Sequence, residues 1–324
     1  MATIKDVAEK AGITVTTVSR VLNNRGYISA KTREKVYRVM QELDYQPNEI
    51  ARALAHKQTK FIGAIVPAIM HPFFSACLNY IEKYASLYGF KLLVCNSERN
   101  SEKEIDYIEM LKSNKVSGII LCTRSGNAVK RLEKFPVITI ERSISDTIPA
   151  VMCDNYHGGQ AATELLIAKG CKNPVIISGN PRVQLPADDR ARAFHDVCCD
   201  KGITPKIFTT NEHQFNKRDY RAEITKIFDE NPSIDGVFAS SDVIAAQVLQ
   251  VCNKRMIRVP EQMKIIGFDD VEIASLTTPP LSTIHQPIED MCKYAVEMII
   301  RRIKGETIPI KTVLPISLIE RETT

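Results

Sequence analysis

The sequence has no tryptophan, no C-x-x-C spacing among its nine cysteines, and no apolar run near the about 18 residues that a membrane-crossing helix needs. No transmembrane helix is therefore expected. The cysteines are odd in number, and most sit in apolar runs, as in Leu92-Leu93-Val94-Cys95 and Ile119-Ile120-Leu121-Cys122. They read as reduced thiols packed like small hydrophobes, not as a disulfide framework or a metal set. The start, Met1-Ala2-Thr3-Ile4-Lys5-Asp6, has no apolar stretch and an early acid, so no export signal is read and a cytoplasmic location is expected. A glycine-rich phosphate loop, G-x-S-x-G and H-E-x-x-H are also missing, and the six histidines converge on no motif. An enzyme is thus disfavoured, and no cofactor or metal is expected. A transport-type binding protein is disfavoured too, because it would need export.

What the chain does have is an uneven charge. Residues 1–60 carry eleven Lys and Arg against six Asp and Glu, while the rest carries 32 of each. The whole net charge of +5 therefore lies in the first sixty residues. That is where a polyanion would bind, since each neutralised phosphate releases condensed counterions.

Periodicity divides the chain in the same place. Thr3 caps a helix over Ile4–Ala11 that Gly12 ends, Thr14 caps Val15–Leu22, and Ser29 caps Lys31–Leu43. Pro47 breaks the pattern, residues 48–56 form one more short helix, and Lys57-Gln58-Thr59-Lys60 reads as a linker. Beyond Phe61, short Ile- and Val-rich runs alternate with amphipathic stretches. The runs are Ile62–Val66, Lys91–Cys95, Gly118–Cys122, Val137–Ile140, Pro174–Ser178, Gly236–Ala239 and Lys264–Gly267, with a last strand at Leu314–Ile319. Such alternation predicts an α/β fold with parallel sheets covered on both faces, in two lobes that enclose a cleft.

Lys5 to Asn23 fits a helix-turn-helix. Val7, Ala8, Ala11, Ile13, Val18, Val21 and Leu22 make its core, and Val15, Thr16 and Arg20 face outward. Arg20 suits a bidentate contact to guanine. Thr3, Thr14, Thr17, Ser19, Asn23, Ser29 and Thr32 are expected at the DNA, mainly as hydrogen-bonding groups for phosphates.

The run Asp6-Val7-Ala8…Ala11-Gly12…Thr17-Val18-Ser19-Arg20-Val21-Leu22-Asn23, followed by Tyr45-Gln46-Pro47-Asn48…Ala51-Arg52-Ala53-Leu54, resembles the headpiece of the lactose-repressor/galactose-repressor family of transcriptional regulators. The resemblance covers the whole chain. It implies a headpiece over 1–46, a hinge helix and linker over 47–60, and a two-lobed core over 61–324, similar to periplasmic sugar-binding proteins. The lobes would be about 61–154 with 286–312, and about 155–285 with 313–324. It further implies a homodimer on operator DNA, with Asn48, Ala51 and Leu54 in the hinge and Leu54 as a minor-groove wedge. No heptad tail follows the last strand, so a dimer is the default assembly.

For the cleft, aromatic faces with an Arg and an Asp suit a hydroxyl-rich ring. His71-Pro72-Phe73-Phe74, Asp188 to Phe194, the polar loop around Phe215, and Ser240-Ser241-Asp242 supply them. The resemblance implies effector contacts from Arg190, with Ala193 where the family has Gly, and from Asp242. It also aligns Phe73, Phe74 and Phe215 with cleft-wall positions, while Asn96, Arg142 and Gln286 lie near the lobe crossovers. Asp269 and Asp270 read as structural or interfacial. Tyr88-Gly89-Phe90 through Asn96-Ser97, with Tyr107 to Leu111, resembles the sucrose-operon branch. The expectation is a repressor controlled by a small molecule, foremost a sugar. A purine or sugar phosphate as effector, or activation in place of repression, remains open.

Overall fold

The structure, a computed structural model, describes residues 2–46, 59–122, 132, 135–179 and 185–324. It divides into two compact units, Met1–Thr59 and Lys60–Thr324.

The first unit holds α1 (Ile4–Lys10), α2 (Val15–Leu22) and α3 (Ala30–Glu42). Thr3 and Asp6 form a reciprocal capping box, the Thr3 amide donating to Asp6 Oδ2 at 2.7 Å. These bonds hold the Asp6 carboxyl below its ordinary pKa. Thr14 and Ser29 cap α2 and α3, and Gly12 supplies the left-handed turn with φ +58°. Helices α1 and α3 each end one residue before the expected position, because Ala11 and Leu43 serve as C-caps. Val7, Ala8, Ala11, Val18, Val21, Val36 and Val39 are buried together, with Ile13 and Leu22 packed against them. The expected hinge residues Asn48, Ala51 and Leu54 lie outside the described residues.

The second unit is two parallel-sheet lobes. The chain builds most of the first lobe with β1 (Phe61–Val66), α4 (Pro72–Leu87), β2 (Lys91–Asn96), α5 (Ser101–Ser113), β3 (Gly118–Leu121), β4 (Val137–Ile140) and β5 (Ala150–Cys153). It crosses to make α6 (Asn155–Ala168), β6 (Pro174–Ser178), α7 (Asp189–Asp200), β7 (Lys206–Thr209), α8 (Glu212–Lys217), α9 (Arg221–Glu230), β8 (Gly236–Ala239), α10 (Asp242–Lys254), β9 (Lys264–Asp269), α11 (Ile273–Leu276) and β10 (Ser282–His285). It returns for α12 (Ile288–Ile303) and β11 (Lys311–Leu314), then crosses once more for β12 (Ser317–Ile319). The sheet orders are β11-β5-β4-β3-β1-β2 and β12-β10-β9-β8-β6-β7. Every pairing is parallel except β10 with β12.

Several elements differ from the expectation. The single last strand is two, on different sheets, divided at Pro315, which has no N–H to give a ladder. β5, β7 and β10 were not foreseen. β7 alternates half-buried and exposed residues, and β10 is Ser-Thr-Ile-His, so neither reads as a continuous apolar run. Phe215, expected in a loop, lies in α8, which Asn211 and Gln214 cap reciprocally. α4 starts with Pro72 in its first turn.

Candidate functional site

In the headpiece, α2 turns Val18 and Val21 inward and leaves Val15, Thr16 and Arg20 exposed. Val15, Thr16, Ser19, Arg20, Asn23, Arg25 and Gly26 line one groove. Asn23 is held in place by donating its amide to the Ser19 carbonyl at 2.8 Å and to Ser19 Oγ at 3.2 Å. Thr14 Oγ1 accepts from the Thr17 amide at 3.2 Å, and the two hydroxyls lie 2.9 Å apart. Ser29 and Thr32 repeat this, at 3.2 and 2.8 Å. These hydroxyls are caps first, each with hydrogen-bonding capacity left for a phosphate. Arg25 in this groove and Tyr27, which follows Gly26 and is 97% exposed, were not singled out from sequence.

In the core, a cavity of about 850 Å³, open mouth included, lies between the lobes. Of the expected effector residues, Phe73, Phe74, Arg142, Arg190, Phe215 and Gln286 line it. Its position beyond the carboxyl ends of the parallel strands is where such sheets hold ligands.

Two expected residues do not reach it. Asp242 is wholly buried behind the wall, with Oδ1 accepting from Thr283 Oγ1 at 2.6 Å and Oδ2 from the Val271 amide at 2.9 Å. It ties the start of α10 to the loop after β9 and to β10, and burial followed by the nearby Asp269 charge pushes its carboxyl well up. Asn96, at the end of β2, is not part of the wall. Its Oδ1 accepts from the Ile69 amide at 3.4 Å, so it steadies the loop after β1.

Asp269, read from sequence as structural or interfacial, takes the place expected of Asp242. It lines the cavity at the end of β9, accepts from Gln286 Nε2 at 2.5 Å, and lies 3.8 Å from Arg190 Nη1. Its φ of +114° is rare for a residue with a Cβ, as is the +55° of Asp270. Burial raises the Asp269 carboxyl to about 7, offset in part by Arg190 and Gln286. Asp270 instead pairs with Arg321 at 2.7 Å and His285 at 2.9 Å. The signal for Asp269 was its place at the end of a buried parallel strand.

Arg190 is buried and fully oriented. Its Nε donates to Asn155 Oδ1 at 2.7 Å, its Nη1 to the Ser240 carbonyl at 2.7 Å, and its guanidinium lies 3.5 Å from the Phe268 ring centre. The close approach of α6 and α7 places it. A Cβ on Gly159 would come within 2.6 Å of the Arg190 carbonyl oxygen. Asn155 in turn donates to Glu141 Oε2 at 2.9 Å, while the Cys153 amide donates to Glu141 Oε1 at 2.6 Å. A polar chain thus runs from Glu141 in one lobe through Asn155 and Arg190 to Asp269 and Gln286.

On the other side of the cavity, His71 stacks on Phe215 with ring centres 5.4 Å apart and planes 14° apart. The Arg99 guanidinium sits 3.2 Å from the Phe215 ring centre, and Arg218 Nη1 donates to the Met70 carbonyl at 2.6 Å. α8 of the second lobe is therefore fastened to the loop after β1 of the first. Burial, then Arg99 and Arg218, lowers His71 to about 4, so the ring is neutral. Sequence reading named its segment but not the residue, and it missed Arg99.

Among the described residues, no helix is long and apolar enough to cross a membrane, and no group of three or more His, Cys, Asp or Glu side chains is placed to hold a metal ion.

A helix-turn-helix unit on one chain with a two-lobed core that holds a polar, aromatic-walled cavity defines a ligand-controlled DNA-binding regulator. The family comparisons agree: residues 3–48 match bacterial regulatory proteins of the lacI family, and residues 163–324 match a periplasmic binding protein-like domain. The ribose operon repressor of Halalkalibacterium halodurans is 36% identical over 100% of this chain and 97% of its own length. The sucrose operon repressor of Streptococcus mutans is also 36% identical, over 99% of each. The crystal structure of the Lac repressor dimer bound to operator and the anti-inducer ONPF superposes with a TM-score of 0.88 at 26% identity, covering 99% of this chain and 98% of that one. The chain belongs to the lacI family of bacterial regulatory proteins. It is a DNA-binding transcriptional repressor, not an enzyme, and the resemblance read from its first fifty-six residues is borne out.

Proposed function

We propose that this repressor acts as a cytoplasmic homodimer on a near-palindromic operator, and that a sugar held between its lobes sets its DNA affinity. One observation carries the sugar reading. The cavity combines the aromatic faces of Phe73, Phe74 and Phe215 with hydrogen-bonding groups held in fixed orientations, Arg190, Asp269 and Gln286. Aromatic faces meet the C–H side of a sugar ring, and fixed polar groups take its hydroxyls. The names of the ribose and sucrose operon repressors support the same ligand class.

In this reading Val15, Thr16 and Arg20 read base edges. The threonine and serine hydroxyls at the helix starts, with Asn23, hold phosphates. Residues 47–60 are the hinge, with Asn48, Ala51 and Leu54 at its centre. The sugar shifts the lobes between two arrangements and so changes the hinge spacing, to the extent that it prefers one of them.

The test is operator binding by the full chain with and without D-ribose or sucrose, for wild type, Arg20→Ala and Arg190→Ala. Arg20→Ala lowers operator affinity and relaxes one base position. Arg190→Ala keeps operator binding and loses the sugar response. An Arg190→Ala protein that still responds to sugar like wild type overturns the cleft reading.

A further inference from the structure

Two groups of side chains meet across the lobes beside the cavity, and each is set by bonds within its own lobe. On the second lobe, Arg218 ends α8 with a φ of +51°. Gln247 of α10 fixes that turn. Its Nε2 donates to the Arg218 carbonyl at 2.8 Å, and its Oε1 accepts from the Tyr220 amide at 2.7 Å. On the first lobe, Ser75 Oγ lies 2.5 and 3.2 Å from the Ile69 and His71 carbonyl oxygens and so holds the loop that carries Met70. Arg99, after β2, has a φ of +60°. Positive φ is rare for residues with a Cβ, and such strained positions cluster at clamps and switch regions.

Three contacts join the two groups. Arg218 Nη1 donates to the Met70 carbonyl at 2.6 Å, the Arg99 guanidinium lies 3.2 Å from the Phe215 ring centre, and His71 stacks on Phe215 at 5.4 Å. Neither Arg218 nor Met70 lines the cavity. The chain crosses between the lobes after β5, β10 and β11, and those crossings supply no residue to the contact. We propose that Arg218 and the Phe215 stack form a latch that holds the lobes together by protein contacts alone, so that exchange of any molecule in the cavity waits for Arg218 to leave the Met70 carbonyl. The latch goes beyond the sugar reading and does not depend on it.

The strength of the latch follows from its parts. Closure of two lobes is a hinge motion between two arrangements, and contacts made in one arrangement alone set its population. The Arg218 bond has a charged donor, and such bonds are about twice as strong as neutral ones. Partners already fixed in place lose little freedom when they meet, so more of that strength is kept. The His71 ring is neutral, lowered to about 4 by burial and then by Arg99 and Arg218. Two guanidinium groups therefore gather at it without a third positive charge.

The experiment is hydrogen exchange of the full chain with no sugar present, read by mass spectrometry in peptides over 67–75 and 211–219. Arg218→Met keeps the side-chain reach and removes the donor, while Arg218→Lys keeps a charged donor. Arg218→Met exchanges about tenfold or more faster in both segments, including 67–75, which lies in the lobe that does not carry the change. Arg218→Lys stays close to wild type. Acceleration confined to 211–219 makes Arg218 a local cap of α8 and overturns the latch. So does wild-type exchange in both segments, or an Arg218→Lys chain that exchanges as fast as Arg218→Met. Melting of each variant shows whether it is folded. If Arg218→Met is unfolded, Arg99→Gln carries the reciprocal test. This change in the first lobe speeds exchange over 211–219 in the second, and wild-type exchange there overturns the latch.

Discussion

The headpiece is held by side chains that are near neighbours in sequence, whereas the cleft takes its wall from segments spread between His71 and Gln286. Thr3 meets Asp6, Thr14 meets Thr17, and Ser29 meets Thr32, each three residues apart. In the core, Arg190 is oriented by Asn155, 35 residues away, and by Ser240, 50 away. The first arrangement tolerates change piece by piece. The second transmits one misplaced atom to a whole wall, which is what a ligand-responsive site requires.

Four substitutions sharpen this contrast. The largest effect belongs to Gly267→Ala. A Cβ there would lie 2.3 Å from Asp242 Oδ1, and Asp242 is buried and bonded on both oxygens. The core should lose about 3 kcal/mol or more and its ligand response, while operator contacts of the headpiece persist. Denaturant unfolding with wild-type stability would show that the pocket behind β9 is looser than described.

The next concerns pH. His71 is lowered to about 4 in the fold from 6.5, so the unfolded chain binds the proton first. Stability from this residue is present above pH 6.5 and is lost as pH falls toward 4, by about 3 kcal/mol in total. Asp269, raised to about 7, has the opposite sign: its contribution is full below 3.8 and is lost as pH rises through 7. His71→Phe should therefore flatten the acid limb of a stability-pH curve for the ligand-free chain. An acid limb identical to wild type would remove His71 as its cause.

A smaller loss is expected in the headpiece. Val36→Ala opens a gap among seven buried residues and should cost that unit about 2 kcal/mol. Operator binding then fails at a lower temperature, while sugar binding by the core is unchanged at temperatures where the core stays folded. A joint loss of both would mean that the two units do not fail separately. The smallest effect is Thr14→Ala, which removes the α2 cap at a cost of about 1 kcal/mol, read as a lower headpiece melting point. No shift in melting would mean that the Thr14 cap contributes nothing to headpiece stability.

Legibility in the sequence follows the same division. α2 begins and ends where its caps and periodicity place it, because a helix start is decided by residues three or four apart. Phe73, Phe74, Arg142, Arg190, Phe215 and Gln286 were legible as cleft residues through family resemblance combined with strand-end position. Asp242 was not placed correctly. What pulls it behind the wall is Thr283, 41 residues on, and the missing side chain at Gly267. The same rearrangement gives the cavity to Asp269. β10 escaped notice because its two buried hydroxyl residues, Ser282 and Thr283, look like loop chemistry until their partners are known.

The last two strands have a consequence for how the chain is made. β11 completes the first sheet and β12 the second, so the first lobe lacks its full sheet until Leu314 has been synthesised and the second until Ile319. Among the described residues, the buried cluster of the helix-turn-helix unit draws on nothing after Tyr45. During translation the DNA-reading unit is therefore ready first, with the sensing unit still open along the edges that β11 and β12 will cover. Long-range closure of this kind is slow relative to local helix packing. The order of synthesis thus gives the growing chain a reader before it has a sensor.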